Sequence, residues 1–525
     1  MQLFTTIKNH KFFVLFVAIY CAILVAFSRY APNADDLSWF ESVILNDADF
    51  FMSGGGNPQN GRFYPFAFID LLLLMKLSKS PYLFFGFNAL LFALFSALFL
   101  KILNISNGKS TLNALITALL SLSVGFVTVF FGICYPEKIQ VIWIAIFMLC
   151  SFFVINGMGG GKSNKLHQII GILSLNIALY YKEPTFIAAF AFGIVLLLSA
   201  RKNQRKDLQK YAIYVICSAL LYVLLYALLV LVLWSVRKYY HHNSIMINDV
   251  VACVVNDSVI VFSVCGILLY RIYRVLIKKE QIEAFFDGFL VASFAYFGAF
   301  IGLKMYASYY LLPCYVFGIP SLLYFGRKYF CNIFIKIVLF LGLFGFLAQN
   351  LPSGIHKIID LKAQGVQFHQ TLDFVAQYLN GHKGTDIYFE GIGSGKRLYG
   401  YDAQLYSFYF VKYAIVLRKI DTDIWILRTN APSERDEYYD VQIGEPKTGD
   451  LIIVSNKSAF GDSLNRAQNL GDLIYQSGFP TIPKIALMPL MRYFFMDSSP
   501  LAQNDKAKNT NFFALPRRTY VFRAH

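Results

Sequence analysis

The sequence predicts an α-helical polytopic membrane protein of about eleven transmembrane helices, followed by a C-terminal extracytoplasmic α/β domain. Three observations predict it. The first is composition: 57% of the 525 residues are hydrophobic and 15% are charged, where soluble domains average roughly 45–50% and about 25%. A soluble globule of this make-up would expose large apolar patches, and the chain is too apolar for disorder. The second is the recurrence of apolar runs near the ~20 residues that cross a bilayer. The third is a division of charge. Residues 1–350 hold 27 Lys and Arg against 14 Asp and Glu, whereas 351–525 hold 20 against 17. Residues 1–350 therefore read as a membrane module and 351–525 as a separate domain.

The spans fall near 12–29, 82–103, 111–131, 139–157, 167–181, 184–200, 211–234, 249–270, 284–303, 306–325 and 330–350. The first has Lys8 and Lys11 beside it and no small-residue cleavage site, so it reads as an uncleaved signal anchor. Residues 63–77 are apolar but contain Pro65 and Asp70. Fifteen helical residues reach only ~22 Å, which predicts a helix lying in the interface. The first outer loop and its interface helices thus occupy 30–80.

Charge sets the orientation. With the N-terminus cytoplasmic, that end and the inner loops hold 17 of the 27 cations, from Lys8 and Lys11 through Lys101, Lys109, Lys162, Lys165 and the cluster at 201–210 to Arg271, Arg274, Lys278, Lys279, Arg327 and Lys328. Counting 63–77 as a span would put most of them outside, against the positive-inside rule. The basic excess is therefore a topology signal and not a nucleic-acid footprint. An odd number of spans places 351–525 outside. The 52 Phe and 34 Tyr suit lipid contact and interfacial belts. All eight Cys fall before residue 351, with no CxxC, so the tail needs no disulfide or structural zinc. Its β-type runs (TDIYFEGI, DLIIVSN, TYVFRA) alternate with helical stretches at 360–379 and 462–477.

The first outer loop carries Asp35 and Asp36 directly after the first span, opening an amphipathic stretch of Leu37, Phe40, Val43 and Ile44. An Asp pair there caps a helix by accepting free N–H groups. A carboxylate at the membrane boundary can also serve as a general base. Asp47 and Asp49 follow, then a flexible SGGGNPQNG connector and Arg62. Other outer loops supply Glu137 and Lys138, Lys182 and Glu183, and Lys304 with Tyr306, Tyr309 and Tyr310. Singly, such a Lys snorkels and such a Tyr belongs to the aromatic belt. Together, acids and cations at helix ends on one face suit a phosphate-bearing lipid.

Three other motifs read as non-functional. EGIGSGKRL at 390–398 lacks the Gly offset and the Ser/Thr of a phosphate loop, so it reads as surface loop. His241 and His242 have no third ligand at metal-binding spacing. The basic run 201–210 is a solvated face.

The pieces NADDLSWF, GRFYPF, YYKEP and KMYASYYLLP, with this topology, resemble the GT-C superfamily of integral membrane glycosyltransferases, which includes protein O-mannosyltransferases and aminoarabinose transferases of lipid A. The resemblance implies an inverting transferase. Its donor is a sugar on polyprenyl phosphate, and its acceptor is a glycan, lipid or protein on the outer face. It makes Asp35 the base and Asp36 its orienting or acceptor-contacting neighbour. The second acid is Asp where some relatives have Glu. By position, Arg62, Lys182 and Lys304 bind the donor phosphate, and Glu137, Lys138, Glu183 and Tyr309 contact substrate. No cofactor is required, although two carboxylates could hold Mg²⁺ or Mn²⁺. The expected setting is a bacterial inner membrane, among membrane lipids and without nucleic acid. A lipid-linked glycan flippase or exporter, or a polysaccharide polymerase or ligase, is the alternative. Transporters place charge at mid-membrane and show related halves, and the predicted spans are nearly charge-free at their centres.

Overall fold

The computed structural model describes residues 11–30, 36, 39, 43, 62–157, 160–232, 247–303, 305–382, 384–390, 418, 427–429, 442–454, 462–478 and 518–525. It is mostly helical, with a small mixed sheet near the C-terminus. Among the described residues, eight helices are long and apolar enough to cross a membrane, or nine if one bent pair is a single span. The chain is thus a multi-pass membrane protein by helix length and hydropathy. Contacts divide it into two units. The first is Met1–Val25, Met52–Ser78 and Leu83–Ile355; the second is Ala26–Phe51, Lys79–Tyr82 and His356–His525.

The first unit opens with α1 (Lys11–Val25), α2 (Ile69–Leu77) and α3 (Pro81–Asn107). Next come α4 (Ser110–Ser121), α5 (Val124–Phe131), α6 (Glu137–Asn156), α7 (Gly160–Tyr181) and α8 (Thr185–Lys202). Then follow α9 (Lys206–Tyr226), α10 (Ile247–Asn256), α11 (Cys265–Leu276), α12 (Ala284–Gly302), α13 (Leu312–Lys328) and α14 (Ile333–Gly345). Wide π-turns occupy Ala227–Val232, Val259–Val264 and Phe346–Asn350.

The count among the described residues is lower than eleven for local reasons. Helix α1 is described over 15 residues, fewer than the ~20 that cross a bilayer, so it is not counted. Helix α7 has 22 residues, but its opening GGKSNKLHQ lowers its mean hydropathy, so it falls outside that count although it runs back along α6 to bring Lys182 beside Glu137. The run 111–131 is two helices bent by 67°. At the bend the Asn350 side-chain oxygen accepts from the Val124 N–H at 2.9 Å, satisfying a donor that the new helix start leaves open. The run 249–270 is interrupted at Asp257, and the membrane-length helix starts at Val259. Residues 63–77 give only the nine-residue α2.

Helix packing relies on close approach. A Cβ on Gly345 would lie 2.5 Å from Ser258 Oγ, so α14 meets the π-turns at backbone distance, as small residues allow in membrane interfaces. Ser258 Oγ donates to the Gly342 carbonyl (2.9 Å) and Ser263 Oγ to the Val338 carbonyl (3.0 Å). At the α11–α12 turn, buried Arg271 forks onto Asp287 at 2.8 and 2.7 Å. It also donates to the Tyr329 hydroxyl and lies 3.3 Å from Glu280. Arg274 and Lys328 complete the clasp on Glu280 at 2.9 and 2.8 Å. These cations, legible in the sequence only as a topology signal, are paired.

The second unit contains most of helix α15 (Leu351–Gly381), helix α16 (Asp462–Leu470) and six strands: β1 (Ile387–Phe389), β2 (Leu427–Thr429), β3 (Gln442–Ile443), β4 (Leu451–Val454), β5 (Gly471–Gln476) and β6 (Tyr520–Ala524). Their order is β3-β2-β1-β4-β6-β5. The β3-β2-β1-β4 part is parallel, and β6 runs antiparallel to both neighbours. Tyr388, Ile452, Val454, Ala467, Phe522 and Ala524 form the core. The expected helix at 462–477 stops at Leu470. Gly471 pairs with Ala524, so close to the Arg523 carbonyl that no Cβ fits. In the segment 26–51, Asp36, Trp39 and Val43 are helical and buried, an i, i+3, i+7 stripe.

Candidate active site

Four segments of the first unit meet at one end of its helices: the turn 62–68, the start of α6, the α7–α8 junction, and the stretch 305–311 before α13. Proline fixes two of them. Pro136 (φ −66°) precedes Glu137, and Pro184 (φ −62°) precedes Thr185. Each supplies the helical φ just where a missing N–H costs nothing. Glu137 in the first turn complements the α6 dipole. The 62–68 turn is held by the Phe66 N–H donating to the Tyr180 carbonyl at 3.1 Å and by Tyr222, whose hydroxyl donates to the Phe63 carbonyl.

The side chains then pair. Lys182 Nζ lies 2.7 Å from Glu137 Oε1. Arg62 Nε lies 2.9 Å from Glu183 Oε1. Tyr64 faces both cations, 4.9 Å from Arg62 and 5.9 Å from Lys182. The Tyr310 ring lies 4.7 Å from Lys182. Such contacts favour a cation when it is desolvated. Burial pulls Lys182 toward neutrality, but Glu137 outweighs it, so Lys182 is held more firmly charged than an ordinary lysine. Glu137 is 1% exposed, and its carboxylate takes the Lys182 ammonium as ionic partner. Behind the pair, Gln140 donates to Thr185 Oγ1 (2.7 Å), which donates to the Lys182 carbonyl (2.7 Å). This fixes the backbone from which Lys182 projects.

Six expected residues gather here: Arg62, Glu137, Lys138, Lys182, Glu183 and Tyr309. Lys138 donates to the Ile133 carbonyl at 2.7 Å. Burial pushes the Asp70 carboxyl up, and Lys138 opposes that shift. Tyr309 packs edge-on against Tyr135 with centroids 5.1 Å apart. Asp36 belongs to the second unit and is buried there. Asp35 and Lys304 lie outside the described residues, as do His241, His242 and 391–398. Among the described residues no group of three or more His, Cys, Asp or Glu is placed to hold a metal.

Three features escape sequence reasoning. Tyr64 and Tyr310 become cation partners only through the turns that carry them. Asp70 is visible as a charge in an apolar run, but its proximity to Lys138 is not. Asp257 is fully buried at the break before the π-turns. Its carboxylate accepts from the hydroxyls of Tyr306 (2.8 Å), Ser308 (3.0 Å) and Tyr315 (2.8 Å). An acid inside an apparently apolar span is a signal the sequence did contain.

The arrangement provides a locked cation, Lys182, flanked by a second cation and two aromatic faces at a helix-bundle end. That can stabilise an anion whose charge grows during reaction. Comparison with known protein families and with curated proteins finds no match to this chain.

Proposed function

We propose that the chain is an inverting glycosyltransferase of GT-C-like architecture. In this reading the N-terminus is cytoplasmic, and the site and the region 351–525 lie on the outer face of a bacterial inner membrane. It moves a sugar from polyprenyl phosphate to a glycan, lipid or protein acceptor. The observation that carries the reading is the pairing of Lys182 and Arg62 around Tyr64 where the outer-loop segments converge. Asp35 takes the proton from the acceptor hydroxyl as its oxygen bonds to the anomeric carbon. The bond from that carbon to the phosphate oxygen breaks on the opposite face, and polyprenyl phosphate leaves. Lys182, Arg62 and Lys304 stabilise the departing phosphate, and Asp36 orients Asp35 or the acceptor. Glu137 and Glu183 hold the cations in place; Lys138 and Tyr309 shape the substrate wall. No cofactor takes part, although an Asp35–Asp36 pair could accept Mg²⁺ or Mn²⁺.

The test is sugar transfer in proteoliposomes with labelled polyprenyl-phosphate sugars and cell-envelope acceptors. Asp35→Asn keeps the shape and removes the base. A loss of about 10²–10⁴-fold with donor binding retained is expected. Equal turnover would make Asp35 a helix cap and pass the role of base to Asp36.

A second reading, a lipid-linked glycan flippase or exporter, is favoured by Asp257, an acid at a discontinuity between helices. It predicts lipid movement between leaflets without sugar release. A polymerase or ligase would release polyprenyl diphosphate instead.

A further inference from the structure

A cavity of about 570 Å³ runs along the first unit between α4, α13 and α14, within the size range of ligand sites. Helix α4 offers Leu112, Ile116 and Leu119, and α13 offers Ile319 and Leu323, each set on one helical stripe. The charged residues lining it are Lys109 and Arg327, both cations and both exposed. Gly125 just beyond α4 meets Ser308 just before α13, so the end of α4 lies toward the start of α13; with both helices lining the one cavity, Lys109 before α4 and Arg327 at the close of α13 fall toward its other end. At the end nearer Ser308 stands Tyr315, which donates to Asp257. From Tyr315 to Arg327, α13 rises ~18 Å, a little more than half of the ~30 Å hydrocarbon core and so about one leaflet deep.

We propose that this groove binds an anionic glycerophospholipid, with one acyl chain along the apolar wall and the phosphate between Lys109 and Arg327. The chemistry selects this occupant. An apolar groove in a membrane-spanning bundle favours a hydrocarbon chain over water. Two cations at its mouth, with no acid among the lining residues, favour a net negative headgroup over a zwitterionic one. The mouth is at the end of α13 away from Tyr310 and Lys182, so the lipid comes from the leaflet opposite the candidate active site. The site stands independently of the transferase reading.

The test is native mass spectrometry of the full-length, delipidated protein in detergent. It is titrated with phosphatidylglycerol, with phosphatidylcholine of the same acyl chains, and with a polyprenyl phosphate. The expected result is a preference of about 30-fold for phosphatidylglycerol over phosphatidylcholine, the effect of two cations near an anionic headgroup. Lys109→Gln with Arg327→Gln, both at exposed positions, abolishes the preference. Leu323→Trp fills the groove and removes high-affinity phosphatidylglycerol binding while leaving both cations. Equal binding of the two phospholipids by the wild type, or a preference that survives the charge variant, overturns the proposal. Displacement of phosphatidylglycerol by an equal concentration of polyprenyl phosphate also overturns it and assigns the groove to the carrier lipid.

Discussion

At the scale of single residues, Lys182 is the cation of the candidate site that a buried carboxylate holds. Its side chain is 9% exposed and that of Glu137 is 1% exposed, so removing one leaves the other buried without its counter-charge. Lys182→Met should destabilise the protein by about 3–5 kcal/mol. Adding Glu137→Gln should recover much of that loss, a coupling that thermal unfolding of the four proteins measures. The pH dependence follows from the upward shift of Lys182. A group raised in the folded state contributes its full stability below its ordinary pKa and loses it only as pH climbs through the raised value. The gap between wild type and Lys182→Met should therefore stay flat from about pH 6 to about pH 9. The sequence YYKEP marks the residue, because a Lys-Glu pair between two apolar runs with almost no linker has to sit at a helix turn. It does not mark the partner. Glu137 is 45 positions away, and the packing of α6 against the α7–α8 hairpin decides the pairing. Tyr64 and Tyr310 are hidden for the same reason.

At the scale of elements, the breaks carry more information than the helices. The short α2 was legible, since Pro65 and Asp70 interrupt an apolar run. The bend at Leu122–Ser123 was not, because the group that stabilises it, Asn350, is remote in sequence. Gly471 ends a helix that periodicity alone would continue. Two outcomes test this level. Gly345→Leu forces α14 from the Ser258 turn and should cost about 1–3 kcal/mol, read as a lower melting temperature. Arg271→Lys keeps the charge but loses the fork onto Asp287 and the Tyr329 bond. It should melt below the wild type, showing that charge alone does not close the clasp.

At the scale of the whole molecule, the proposed topology decides which side of the membrane faces the chemistry at one end of the bundle. Cys331 is exposed in the turn after α13, near Lys328 and away from Lys182. In spheroplasts a membrane-impermeant maleimide should label it only after permeabilisation; labelling of intact cells would reverse the proposed orientation. The most direct measurement is release of polyprenyl phosphate from a labelled polyprenyl-phosphate sugar by the protein in proteoliposomes, with Lys182→Met beside the wild type. Acceptor-dependent release by the wild type is expected, with a loss of about 10²–10³-fold in the variant. Movement of the lipid between leaflets with no release of sugar from any donor would contradict the transferase reading.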